Sequence, residues 1–175
     1  MVSEKYLMKE TDMDKAIMHV AKEIISDHNE NVVLVGIKTR GVPLSEWLAR
    51  KMEVIQNKPT PVGCLDINLY RDDLTEVGNQ PKVKKTQLPF SIEGKGVILV
   101  DDVLYTGRTI RAALDALVDH GRPSFVKLMV MVDRGWRELP IECNYAAKKI
   151  KTTKNENVKV RFAATDGVNE VIIKG

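Results

Sequence analysis

Two cysteines, Cys64 and Cys143, are all that this 175-residue chain contains, and they lie outside any Cys-x-x-Cys or Cys/His ligand spacing. Neither a disulfide framework nor a zinc site is expected, and the thiols fit a reducing compartment. Long hydrophobic runs are missing too. No stretch approaches the roughly 18 apolar residues of a membrane helix, and the first ten residues mix charges without the basic-then-apolar order of a secretion signal. The expectation is a cytoplasmic protein with no membrane partner. Charge of one sign is scarce: 27 bases against 24 acids leave a formal net charge of +3, too little to demand a polyanion. No Walker loop is present and no Gly-x-Gly-x-x-Gly follows an expected strand, which counts against nucleotide hydrolysis and dinucleotide binding. His19, His28 and His120 stand apart from any Ser or Cys pattern of nucleophilic catalysis. With no repeat, low-complexity tract or linker in view, one domain over 1–175 is expected.

Against that background one segment stands out: Val97-Ile98-Leu99-Val100-Asp101-Asp102-Val103-Leu104-Tyr105-Thr106-Gly107-Arg108-Thr109. Its apolar, β-branched start predicts a central parallel strand, which ends on two carboxylates and a turn that opens a helix. Ligands of open α/β sheets bind at the C-terminal strand edge, where this pattern delivers Asp101 and Asp102. Gly107 lets the backbone approach an anion, Thr106 and Thr109 offer hydroxyls, and the helix start adds unpaired amides with a positive dipole end. Alone, Thr-Gly-x-Thr reads as a helix cap. Joined to the apolar strand and the double Asp, it reads as a sugar-phosphate cradle, with the phosphate on 106–109 and vicinal hydroxyls on the acids. A metal site or an exposed Asp pair is the competing interpretation.

The surrounding pattern alternates strands and helices. Thr11 or Asp12 caps a helix to about residue 28, a strand covers 32–37, and Pro43 fits the first turn of a helix to about 55. Strands are expected over 62–70, 97–102 and 125–132, with a helix over about 107–120 closed by Gly121. The fold class is therefore α/β: a mostly parallel twisted sheet flanked by helices, with right-handed crossovers. Residues 71–89, rich in charge, Gly, Pro, Asn and Lys, predict a long flexible hairpin loop. Short strand-like pieces around 144–147, 158–162 and 170–173 suggest a small C-terminal cap or antiparallel edge. The bases Lys148, Lys149, Lys151, Lys154, Lys159 and Arg161 concentrate between 142 and 161, where a solvated face is the default over a nucleic-acid patch.

The 97–109 segment resembles the phosphoribosyl-pyrophosphate signature of the type I phosphoribosyltransferases. Three further blocks, Val35-Gly36-Ile37-Lys38-Thr39-Arg40-Gly41, Asp66-Ile67-Asn68-Leu69-Tyr70-Arg71-Asp72-Asp73-Leu74 and Val132-Asp133-Arg134-Gly135-Trp136-Arg137-Glu138-Leu139-Pro140, are similar to the bacterial PyrR family, nearly end to end. That family combines uracil phosphoribosyltransferase activity with nucleotide-dependent binding of pyrimidine-operon messenger RNA, which promotes transcription attenuation.

The resemblance implies phosphoribosyl pyrophosphate, uracil and UMP or UTP as ligands, pyr leader RNA as a partner, and a homodimer or homotetramer. It implies substrate-bound Mg²⁺ as cofactor, with no dedicated metal site. The phosphoribosyl pyrophosphate or UMP site would comprise Thr39, Arg40, Asp101, Asp102, Val103, Leu104, Tyr105, Thr106, Gly107, Arg108 and Thr109. Of these, Asp101, Asp102 and Arg40 would be catalytic, the acids supporting an oxocarbenium-like ring and Arg40 the departing pyrophosphate. A non-proline cis bond is expected beside Lys38-Thr39, and Arg71 in the long loop would close over the pyrophosphate. A hood over about 133–162, with Asp133, Arg134 and Val158, would hold the base. His19, Lys22, Arg137 and Lys148 are the RNA-contact candidates. Trp136 stands where the family often has His, and Glu142 where it is often basic. A phosphoribosyltransferase for another nucleobase, without an RNA function, is the alternative.

Overall fold

The computed structural model describes residues 4–29, 31–72 and 85–175. In chain order these form β1 (Glu4–Lys9), α1 (Glu10–His28), β2 (Val32–Ile37), α2 (Gly41–Gln56), β3 (Val62–Leu65), β4 (Gly96–Leu104), α3 (Arg108–Val118), β5 (Phe125–Asp133), β6 (Tyr145–Lys149), β7 (Asn157–Arg161), the short α4 (Ala163–Asp166) and β8 (Glu170–Lys174). Strands β2 to β6 build one parallel sheet in the order β3-β2-β4-β5-β6. The expected α/β class is the observed one.

Continuous apolar strands make sense in this sheet because both faces are covered. Successive side chains of a strand point to opposite faces. Val32, Leu34, Ile98, Val100, Met129 and Met131 pack on one side with Ile17, Ile24, Leu44 and Leu48 of α1 and α2. Val33, Val35, Val97, Leu99, Leu128 and Val130 pack on the other with Ile110, Ala113 and Leu117 of α3. Sandwiched between these layers, β4 is rigidly placed, and its C-terminal residues are positioned by the core. No described helix is long and apolar enough to cross a membrane.

A second, antiparallel sheet has the order β1-β8-β7. It packs Met8, Val158, Val160, Phe162, Val171 and Ile173 into the same core as α1 and α2, and its edges are tied by ion pairs of Arg161 with Glu170 (2.6 Å) and Lys174 with Glu4 (3.1 Å). This small sheet draws on both ends of the chain, whereas the sequence pattern suggested a hood over 133–162. The piece around 144–147 instead extends the main sheet as β6, because its pairing partner is β5 in parallel register.

The strand expected over 62–70 stops at Leu65. There the Asp66 carboxylate accepts the Asn68 amide at 2.9 Å, and a 3-10 turn, Asn68–Tyr70, follows. Of the long loop, 73–84 lies outside the described residues; beyond it, Gln87 exchanges backbone hydrogen bonds with Cys64 at 2.8 and 2.9 Å.

Candidate functional site

The strand-to-helix turn after β4 is built as the sequence suggested. Gly107 has φ +93, a left-handed conformation suited to glycine, and a Cβ there would meet Ile141 at 3.3 Å and Leu139 at 3.5 Å. The Thr106 hydroxyl accepts the Arg108 amide at 3.3 Å, and its carbonyl accepts the amides of Glu138 (2.9 Å) and Leu139 (3.2 Å). The turn is thus pinned to the segment after β5 while α3 begins at Arg108. The Arg108 side chain turns to Glu138 and Asp72, 2.8 Å from each, so this residue faces the start of the long loop. Val103 and Leu104 continue β4, with Leu104 in the core and Thr109 half-buried in the first turn of α3.

Asp101 and Asp102 stand at the end of the central strand. Asp101 is 6% exposed, and its Oδ1 accepts the Asp102 amide at 2.9 Å. Burial, and then the neighbouring Asp102 charge, push the Asp101 carboxyl well above the usual range, with Arg71 close enough to pull against them. Burial also raises Asp102, opposed by hydrogen bonds from Asp101 and the backbone and by the Arg40 charge. Buried carboxyls with raised affinity for protons are what a site produces when it awaits donors or positive charge.

Asp102 faces a cleft of about 430 Å³ lined also by Arg40, Val158, Lys159, Val160, Arg161 and Asp166. The cleft joins the end of β4 to the small sheet. Two larger clefts, of about 610 and 630 Å³, lie along β3 and at the N-terminal strand ends, and neither is lined by the acids or by the 106–109 turn. The Lys38–Thr39 peptide is cis, at the position named from the sequence. Thr39 is exposed beside α4, lining a smaller cleft with Pro43, Ala164 and Thr165. Arg40 donates from Nε to the Val160 carbonyl (3.1 Å) and from Nη2 to Asp166 (2.7 Å), so it bridges the loop after β2 to the small sheet. Burial raises the Asp166 carboxyl, but the Phe162 amide, the Thr165 hydroxyl and Arg40 hold it below the usual range. Asp166 was not singled out in the sequence, and Lys159 only as one of a cluster of bases. Asp166 meets Arg40 across 126 positions, so no local signal marks it.

The third block divides into separate roles. Asp133, at the end of β5, accepts the Gly135 amide at 3.0 Å and pairs with Arg137 at 2.8 Å. Burial pushes its carboxyl up, and Arg137, the Gly135 amide and the Cys143 thiol more than offset that. Burial and Asp133 in turn raise the Cys143 thiol to about 11, which makes it a poor nucleophile. Arg134 is 5% exposed and lies over the Tyr105 ring, 4.0 Å from its centroid. Neither Asp133 nor Arg134 lines the cleft beside Asp102.

Among the RNA candidates, Arg137 is internal. Its side chain is 14% exposed and is bound to Asp133, Glu142 and the carbonyls of Tyr105, Gly135 and Ile141. A guanidinium held this way braces the turn, and Glu142 is one of its partners, which accounts for an acid where a base was expected. His19, paired with Glu23 at 3.7 Å, and Lys22 are exposed on α1, and Lys148 is half-buried on β6. Trp136 has φ +63 and is 43% exposed, its indole donating to the Thr152 carbonyl (2.6 Å) with the Lys154 ammonium 5.3 Å above the ring.

The family of the phosphoribosyl transferase domain matches residues 7–164. Proteins called Bifunctional protein PyrR match over nearly all of the chain: that of Thermus aquaticus is 51% identical over 167 residues, 94% of this chain and 92% of that protein. That of Pelotomaculum thermopropionicum is 49% identical over 176 aligned positions, covering 99% and 97%. The chain belongs to the PyrR family. Its fold is similar to that of solved hypoxanthine phosphoribosyltransferases; one from Trypanosoma cruzi superposes with a TM-score of 0.73 at 20% identity, covering 97% of this chain and 95% of that one. Membership in PyrR, rather than the purine branch, disfavours the alternative of another nucleobase without a regulatory role.

Proposed function

We propose that the protein transfers the phosphoribosyl group of phosphoribosyl pyrophosphate to uracil, giving UMP and pyrophosphate. We further propose that it binds pyr leader RNA in a uridine-nucleotide-dependent way to promote attenuation. The observation that supports the first part is that β4 ends with Asp101 and Asp102 just before the 106–109 turn, and that Asp102 lines the cleft under the small sheet. The turn takes the 5′-phosphate, the acids take the ribose hydroxyls, and the cleft takes the base, so one nucleotide spans all three. The name shared by the relatives supports the second part.

During the reaction a bond forms between C1′ and the base nitrogen, the C1′–O bond to pyrophosphate breaks, and the proton of the base nitrogen passes to the departing pyrophosphate or to water. Positive charge develops on the ring, which Asp101 and Asp102 are placed to stabilise, and negative charge gathers on the leaving group. Arg40, lining the cleft, and Arg71, whose charge reaches Asp101, would meet that group. A Mg²⁺ carried by substrate oxygens would be met by the Asp102 carboxylate, which lines the cleft. When bound, the ion would neutralise charge on pyrophosphate oxygens. A homodimer or homotetramer in the cytoplasm completes the proposal, and the unpaired thiols fit that compartment.

A competition assay offering uracil, hypoxanthine, guanine and orotate with phosphoribosyl pyrophosphate tests the enzyme. Preferential consumption of uracil is expected, and preference for a purine or orotate contradicts the base assignment. For the regulator, UMP should strengthen binding of a pyr leader hairpin over a scrambled one, and equal binding of both removes the claim.

A further inference from the structure

Several arginines flank the 106–109 turn and the adjoining cleft, and those beside carboxylates are neutralised by them, as Arg161 is by Glu170. Arg40 pairs with Asp166, Arg108 with Asp72 and Glu138, and Arg137 with Asp133 and Glu142. Arg134 does not. Its side chain donates to the Thr153 carbonyl at 3.2 Å and covers the Tyr105 ring, its Nε is buried with no acceptor, and no carboxylate pairs with it among the described residues. Its backbone amide is held by the Leu104 carbonyl at 3.1 Å, and its carbonyl accepts the Thr152 hydroxyl at 3.3 Å. The position is fixed from several sides, so the guanidinium cannot swing out to water.

A buried charge without a counter-ion is costly, and an anion arriving nearby relieves that cost in a medium that screens weakly. The Tyr105 face under the guanidinium offers only a quadrupole. Tyr105 immediately precedes the 106–109 turn assigned above to the 5′-phosphate, and the inference rests on that assignment. We propose that Arg134 is a positioning residue for the phosphate subsite: stacked on Tyr105, its unneutralised guanidinium supplies the charge that a phosphate dianion on the 106–109 turn balances. This differs from the base-contact role expected of Arg134 from the sequence. It acts on the phosphate equally before and during the reaction, so its effect falls on binding and leaves the chemical step alone.

The test compares UMP with uridine, which lacks the phosphate, by calorimetry on the full chain. Arg134→Met should weaken UMP about tenfold, the scale of one charge acting at several ångströms, and raise KM for phosphoribosyl pyrophosphate similarly. Uridine affinity and kcat should stay within about twofold to threefold. Arg134→Lys, which keeps the charge, should restore most of the UMP preference. If Arg134→Met does not fold, Arg134→Gln carries the same expectation, since it retains a donor for Thr153. Equal weakening of UMP and uridine, or no change in either, overturns the inference. Failure of the unaltered protein to bind UMP overturns instead the site assignment beneath it.

Discussion

Asp101→Asn combined with Asp102→Asn should abolish uracil-dependent pyrophosphate release and, at neutral pH, leave the ligand-free protein more stable than its parent. The loss follows from removing both carboxylates proposed to meet the developing ring charge; one such electrostatic group costs about 10²- to 10³-fold in rate. The gain follows from burial. Asp101 has a folded-state proton affinity raised above that of the unfolded chain, chiefly by burial and secondly by Asp102. Stability contributed by its protonated form is complete below the unfolded value near 4 and is lost as pH rises through the elevated folded one. An amide does not ionise, and its oxygen at position 101 can still accept the Asp102-position N–H. The variant should therefore match its parent in acid and exceed it by about 1–2 kcal/mol at pH 7 to 8, a rise of a few degrees in Tm. Retained turnover contradicts the assigned roles, and a lower Tm at pH 8 contradicts the electrostatic account.

Gly41→Ala should damage both stability and substrate binding. A Cβ on Gly41 would fall on the Val100 carbonyl oxygen, with the Val100 carbonyl carbon at 3.2 Å and the Asp101 Cα at 3.4 Å. These are backbone atoms of the central strand, which cannot rotate aside as a side chain can. Overpacking of well-filled sites costs typically about 1–3 kcal/mol, and this contact belongs at the upper end of that range. The strain would be relieved by lifting the start of α2, and with it Thr39 and Arg40, away from Asp101. Urea denaturation should show a lower midpoint, and the surviving folded protein a KM for phosphoribosyl pyrophosphate raised about tenfold or more. Unchanged midpoint and KM would mean that the close approach of this loop to β4 has no functional consequence.

The chemistry-bearing segments were legible because they are local. A continuous apolar run, a double Asp and a Thr-Gly turn follow one another within thirteen residues, and periodicity alone placed β2, β4 and β5 within a residue or two of their ends. The cis bond at Lys38–Thr39 was likewise tied to a recognisable loop. What the pattern hid depends on distant partners. β1 reads Glu-Lys-Tyr-Leu-Met-Lys, a charged start with little alternation, and it becomes a strand only because β8 pairs with it. β6 and β7 are equally short, yet one joins the parallel sheet and the other the small one, a choice made by β5 and β8. Arg137 looked like a surface base and is instead paired with Asp133, a contact whose preference over solvent is set by burial, not by spacing. Arg40 meets Asp166 across 126 positions, beyond the reach of any local signal.

The most direct test of the whole arrangement is a crystal structure of the protein with UMP and Mg²⁺. The account predicts phosphate oxygens on the backbone amides of 106–109, ribose hydroxyls against Asp101 and Asp102, and uracil in the cleft beside Val158 and Val160. A nucleotide bound in another cleft, or a turn whose amides point inward and admit no phosphate, contradicts it.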